Sequence, residues 1–104
     1  MTNYVLVYTG GGMPETEAAQ AQVMQAWHAW MGGLGEALVD GGNPFSNAKN
    51  IASDASVSDN PVGVRATGYS IIAAGSLDAA VTLAKGCPHI ASGGQIAVYE
   101  TMPM

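Results

Sequence analysis

The order in which hydrophobic patterns change along this chain limits its folds more than any single motif does. Residues 3–9, NYVLVYT, are β-branched and aromatic, and they run into three glycines. That combination predicts a buried strand ending in a break. Residues 13–40, MPETEAAQAQVMQAWHAWMGGLGEALVD, then switch to a helical period. Val23, Trp27, Trp30, Leu34 and Leu38 recur on one face, Pro14 fits a first turn, and Glu15 and Glu17 lie at the positive end of the helix dipole. Gly32, Gly33 and Gly35 each weaken a helix by up to about 1 kcal/mol relative to Ala. They predict a kink or a close approach by another backbone.

The same succession recurs in the second half. Residues 64–73 predict a strong strand. Residues 75–86, GSLDAAVTLAKG, predict a helix with Ser76 as N-cap, Asp78 in the first turn and Gly86 as the stop. Residues 93–102, GGQIAVYETM, predict a last strand with Ile96 and Val98 opposite in direction to Gln95 and Ala97. Between the halves, a weak edge strand is expected at residues 48–53 and a turn at Asp59-Asn60-Pro61. The order is β-α-β-β-α-β, and it predicts one α+β domain over residues 1–104. The expected architecture is a ferredoxin-like sandwich with two helices on one face of an antiparallel sheet. Val5, Val7, Ile71 and Ile96, or their alternates, are expected on the uncovered face. Sheet-to-sheet dimerisation would cover them.

Composition agrees with a covered face. Of 104 residues 48% are hydrophobic and only 11% charged, which favours an oligomer. The net charge is −5, and the cations are Lys49, Arg65 and Lys85. No basic stripe exists to displace counterions from phosphates, so no nucleic-acid partner is expected, and anionic membrane surfaces are disfavoured. No stretch reaches the length of a transmembrane helix. One cysteine, Cys87, fits a reducing compartment, and MTNYVLVYTGGG has no basic leader region, so the expected location is the cytoplasm.

Two stretches carry candidate chemistry. His28 lies on the flank of the core stripe beside Met24 and Met31. It reads either as a general acid or base near neutral pH or as a half-buried histidine bonded to a carbonyl. Cys87-Pro88-His89 follows the second helix. In an extended step the thiol and imidazole would point the same way, as a reactive pair or half of a metal site with His28. The alternative is structural: a small buried Cys, a Pro that stops the helix, and a His capping its carbonyls. Zinc usually wants three or four ligands in recognisable spacing, so neither a metal nor a cofactor is expected. Asp40 could orient His28 if the chain turns back, or be a solvated end residue. Tyr8 and Tyr69 would sit on strands and either line a pocket or pack. TGGGMPE lacks the G-K-[ST] ending of a phosphate loop.

TGYSIIAAGSLDAAVTLAKGCPHIASGGQIAVYE resembles the C-terminal half of YCII-related proteins, close to the branch with a DGPF motif. Tyr8, the mid-helix His28 and Gly42-Asn43-Pro44 agree more loosely. The resemblance implies a dimeric α+β barrel with a pocket between each sheet and its helices or at the dimer seam. It also implies a catalytic pair of a mid-helix His and an Asp before a Pro. His28 matches the first position. Cys87 stands at the second, and the turn that would carry DGPF reads SDNPVG. The expected function is therefore binding of a small molecule by a homodimer. His28, His89 and Asp40 are the candidate catalytic residues, and Tyr8, Trp27, Met31, Tyr69 and Cys87 the candidate ligand contacts. Either a histidine acts as acid/base on a small metabolite, or the pocket senses a ligand without turnover.

Overall fold

The computed structural model describes residues 1–59 and 63–103. Its elements are β1 (Thr2–Gly10), α1 (Glu17–Leu34), β2 (Leu38–Asp40), β3 (Asn50–Ile51), β4 (Val57–Ser58), β5 (Ala66–Ala74), α2 (Leu77–Ala84), α3 (Pro88–Ala91) and β6 (Gly94–Glu100). Four strands form one antiparallel sheet in the order β2-β5-β1-β6, and β3 and β4 form a separate two-stranded sheet. This mixed α+β arrangement is compatible with a ferredoxin-like fold.

The register explains which side of the sheet the helices take. Tyr4 faces Ile72 and Glu100, Leu6 faces Ser70 and Val98, and Tyr8 faces Gly68 and Ile96. Residues paired across strands share a face. Tyr4, Leu6, Tyr8, Ile72 and Ala74 are buried with Ala80 and Ala84 of α2, and Trp27, Trp30, Leu34 and Leu83 pack against them. On the opposite face Val5 pairs with Ile71 and Tyr99, and Val7 with Tyr69 and Ala97. That face carries no helix. Val5, Val7 and Ile71 lie there as expected, but Ile96 sits on the covered side, because it stands opposite Tyr8.

Three boundaries differ from the sequence expectation. Helix α1 begins at Glu17, because the Thr16 hydroxyl accepts from Ala19 N–H at 3.2 Å and caps it. It ends at Leu34, because Gly35 takes φ 55° and donates its N–H to Gly32 O. A 3-10 turn over Gly35–Ala37 then sends residues 38–40 into the sheet as β2, not into further helix. Apart from the adjoining residues and the helix's own backbone, no described atom lies within 4 Å of where a β-carbon would stand on Gly32, Gly33 or Gly35. These glycines end a helix; they admit no other backbone. The strand expected at residues 48–53 is reduced to β3, which among the described residues pairs with β4 alone. The turn expected at Asp59-Asn60-Pro61 falls largely outside the described residues.

The second half follows its signals more closely. Ser76 Oγ accepts from Ala79 N–H at 3.1 Å, capping α2. Beyond Gly86 the chain is helical again. Pro88 opens α3 at its first position, where its missing N–H costs nothing. Cys87 and His89 therefore do not share one side of an extended step.

Candidate functional site

Where β1 runs out against α1 and α3, the structure leaves an open cleft of about 530 Å³. Helix α1 supplies one wall through Met24, Trp27, His28 and Met31. Their spacing of three and four residues puts them on one helical face. Six glycines, Gly10, Gly11, Gly12, Gly41, Gly42 and Gly68, also line it, together with residues such as Met13, Asn43, Pro44 and Thr67. Among the described residues lining the cleft there is no Lys, Arg, Asp or Glu.

His89 is the most constrained polar group bordering it. The residue is only 9% exposed, and its Nε2 lies 2.8 Å from Thr9 O. A carbonyl only accepts, so Nε2 carries the hydrogen, and in the neutral imidazole Nδ1 carries the lone pair. Two glycines fix the ring. A β-carbon on Gly94 would overlap it, and one on Gly11 would come within 2.9 Å of Cε1. The Tyr8 ring lies 5.1 Å away, tilted. His89 thus ties α3 to the end of β1. It does not cap the carbonyls of α2.

Tyr8 is held from both ends. Its ring meets Trp27 edge-on at 5.5 Å, and Trp27 meets Trp30 edge-on at 5.8 Å. Such pairs contribute about 0.5–1.5 kcal/mol each beyond area burial. Its hydroxyl donates to Ser70 Oγ at 2.7 Å, and Ser70 Oγ donates to Gly41 O at 2.8 Å. Trp30 Nε1–H donates to Leu83 O at 3.1 Å, joining α1 to α2. Burial pushes the Tyr8 phenol well above its ordinary pKa, with the Ser70 bond opposing and Cys87 adding. Tyr8 is a neutral, fixed wall.

The remaining candidates divide. His28 is exposed and stands on the cleft rim. Tyr69 borders the cleft, but it pairs opposite Val7, so its side chain belongs to the helix-free face. There it stacks on Phe45 at 5.7 Å, and its hydroxyl lies 3.4 Å from Asp40 Oδ2. Asp40 accepts from Gly42 N–H at 2.8 Å and does not line the cleft. Nor does Cys87, which is 2% exposed behind Tyr8. Burial pushes its thiol above the ordinary value, and the His89 amide and the Tyr8 hydroxyl oppose this only partly. It is a protonated, packed thiol. The structure thus gathers His28, His89, Tyr8, Trp27 and Met31 at one cavity and leaves Asp40 and Cys87 outside it.

Sequence reasoning missed Ser70, Gly94 and Thr9 as parts of the site. A serine inside the apolar run YSII is a visible signal that a polar partner waits in the core. The Thr9 carbonyl leaves no trace in residue type. Among the described residues no three His, Cys, Asp or Glu side chains assemble into a metal cage. No helix among them is long and apolar enough to cross a membrane.

The class that fold and site define is a mixed α+β protein with a cleft, free of Lys, Arg, Asp and Glu among its described lining residues, between one helix and the end of its sheet. No protein-family model matches the chain, and no curated protein matches it.

Proposed function

We propose that this protein binds a small organic molecule in the cleft, with His89 as the fixed polar contact and His28 at the entrance. One observation carries the reading. A cavity of about 530 Å³, within the usual range for small-molecule sites, borders an imidazole whose tautomer is set from behind. As an enzyme, it would use His89 Nδ1 to take a proton from the ligand and His28 to return one at the rim. The second reading is a sensing or regulatory module without turnover. It is favoured by Asp40 lying outside the cleft, which leaves neither histidine a carboxylate to steady its charged form.

Thermal-shift measurements against a metabolite panel test this. Some neutral compounds are expected to raise the melting temperature of the wild type, and His28→Ala is expected to reduce the shift. A panel that moves neither protein sinks the binding reading. Binding without product formation selects the sensing module.

The wider reading is a YCII-related cytoplasmic homodimer whose sheets pack face to face as a dimeric α+β barrel. What supports it is the apolar helix-free face, where Val5, Val7 and Ile71 lie beside Tyr99, itself 59% exposed. Specific interfaces bury about 800 Å² per partner, which a four-stranded face can supply. Sedimentation of the wild type is expected to give a dimer, and Val7→Glu a folded monomer with unchanged far-ultraviolet circular dichroism. A wild-type monomer at micromolar concentration removes the barrel.

A further inference from the structure

The cleft's own chemistry narrows what it can hold. We propose that it takes a neutral aromatic molecule carrying one N–H or O–H group, and that this group donates to His89 Nδ1. The proposal rests on the cleft being the ligand site.

Three observations converge on it. The first is the direction of the imidazole. Nε2 is committed to Thr9 O at 2.8 Å, and a ring flip would break that bond. Gly11 and Gly94 leave no room for the ring to slide aside. Among the described residues no group accepts from or donates to Nδ1, yet no buried side-chain nitrogen or oxygen among them lacks a partner. Nδ1 therefore keeps access to solvent, and the space that His89 borders is the cleft. The site presents an acceptor with a fixed direction.

The second is charge. With no Lys, Arg, Asp or Glu among the described residues lining the cleft, a carboxylate or phosphate entering it finds no permanent cation, only the two imidazoles, and an ammonium group finds no carboxylate. Desolvating an ion without a counter-charge costs far more than desolvating a neutral group. The third is the walls. Tyr8 and Trp27 offer aromatic faces and edges, and Met24 and Met31 offer thioethers, which make favourable contacts with rings. Six glycines among the described lining residues leave backbone, without a side chain, open to a flat molecule over part of the cleft.

Indole, 1-methylindole and indole-3-carboxylate separate these claims. They share a ring system and differ in the donor and the charge. By calorimetry, indole is expected to bind the wild type about three- to tenfold more tightly than 1-methylindole, as one neutral hydrogen bond allows. The carboxylate is expected to bind most weakly. The ¹⁵N resonance of His89 Nδ1 is expected to move upfield with indole and to stay in place with 1-methylindole. His89→Gln can still donate to Thr9 O but offers no acceptor at the Nδ1 position, so indole and 1-methylindole should bind it equally.

Equal wild-type affinity for the two neutral probes overturns the donor claim. A carboxylate that binds tightest overturns the neutral class. A preference that survives in His89→Gln overturns the role of Nδ1, and no binding by any probe overturns the proposal as a whole. Wild-type binding of both neutral probes without preference leaves the cleft as a ligand site. A silent metabolite panel removes the cleft itself.

Discussion

Gly42→Ala is expected to lower the melting temperature by more than about 10 °C, followed by circular dichroism. Gly42 has φ 76°, and a β-carbon there would run into the carbonyl carbon and oxygen of Tyr69. Both obstacles are backbone, so no side-chain rotation relieves them. The left-handed conformation alone costs a non-glycine residue about 1–3 kcal/mol. Retreat of the segment would also strain what holds it to β5: Phe45 N–H to Thr67 O at 2.8 Å, and the bridge between Pro44 and Gly68. It would pull Gly41 O from Ser70, which is fully buried. A loss of about 3 kcal/mol shifts a domain of this size by roughly 4–8 °C per kcal/mol. Gly33→Ala is the control: beyond its own helix and neighbours no described atom lies within 4 Å of the added carbon, and Ala favours a helix over Gly. It is expected to leave the protein as stable or more so.

Gly94→Ala is expected to abolish ligand-induced thermal shifts and to cost about 1–3 kcal/mol, the usual consequence of stranding buried hydrogen-bonding groups. The new methyl would occupy the space of the His89 ring. The ring must swing away, releasing Thr9 O and losing the direction of Nδ1. A double-mutant cycle makes the attribution specific. His89→Ala removes the ring, so adding Gly94→Ala to it should cost little, and the two effects should be strongly non-additive. Full additivity would show that Gly94 matters for some reason other than His89.

The parts of the fold that were legible in the sequence are those where local chemistry and tertiary packing ask for the same thing. Strands β1, β5 and β6 read correctly because their alternation matches a sheet covered on one side. Ser76 read correctly because a cap is a local hydrogen bond. Leu38 falls on the helical stripe of Trp30 and Leu34, so spacing alone predicts helix at residues 38–40, where the structure has β2. The glycine at 35 outweighed that spacing by taking a left-handed conformation that closes the helix. The site was half legible. His28, Trp27 and Met31 share a helical face, which spacing shows directly. That His89 reaches Thr9, eighty residues away, depends on how α3 docks on β1. That Cys87 hides behind Tyr8 depends on the same docking. No residue pattern encodes a backbone carbonyl as partner.

The small sheet of β3 and β4 has a consequence of another kind. Among the described residues its two strands form a sheet with each other, and Ile51 and Val57 remain 72% and 60% exposed. Lys49 reaches Asp59 at 2.9 Å within the same arm, and Arg65 donates to Ser46 O at its base. No described residue that lines the cleft falls between residues 45 and 66. Lengthening a flexible connection costs only about 0.6 kcal/mol per doubling. Natural drift in chain length, or a domain grafted by an engineer, can therefore accumulate at this arm while the cleft geometry stays intact.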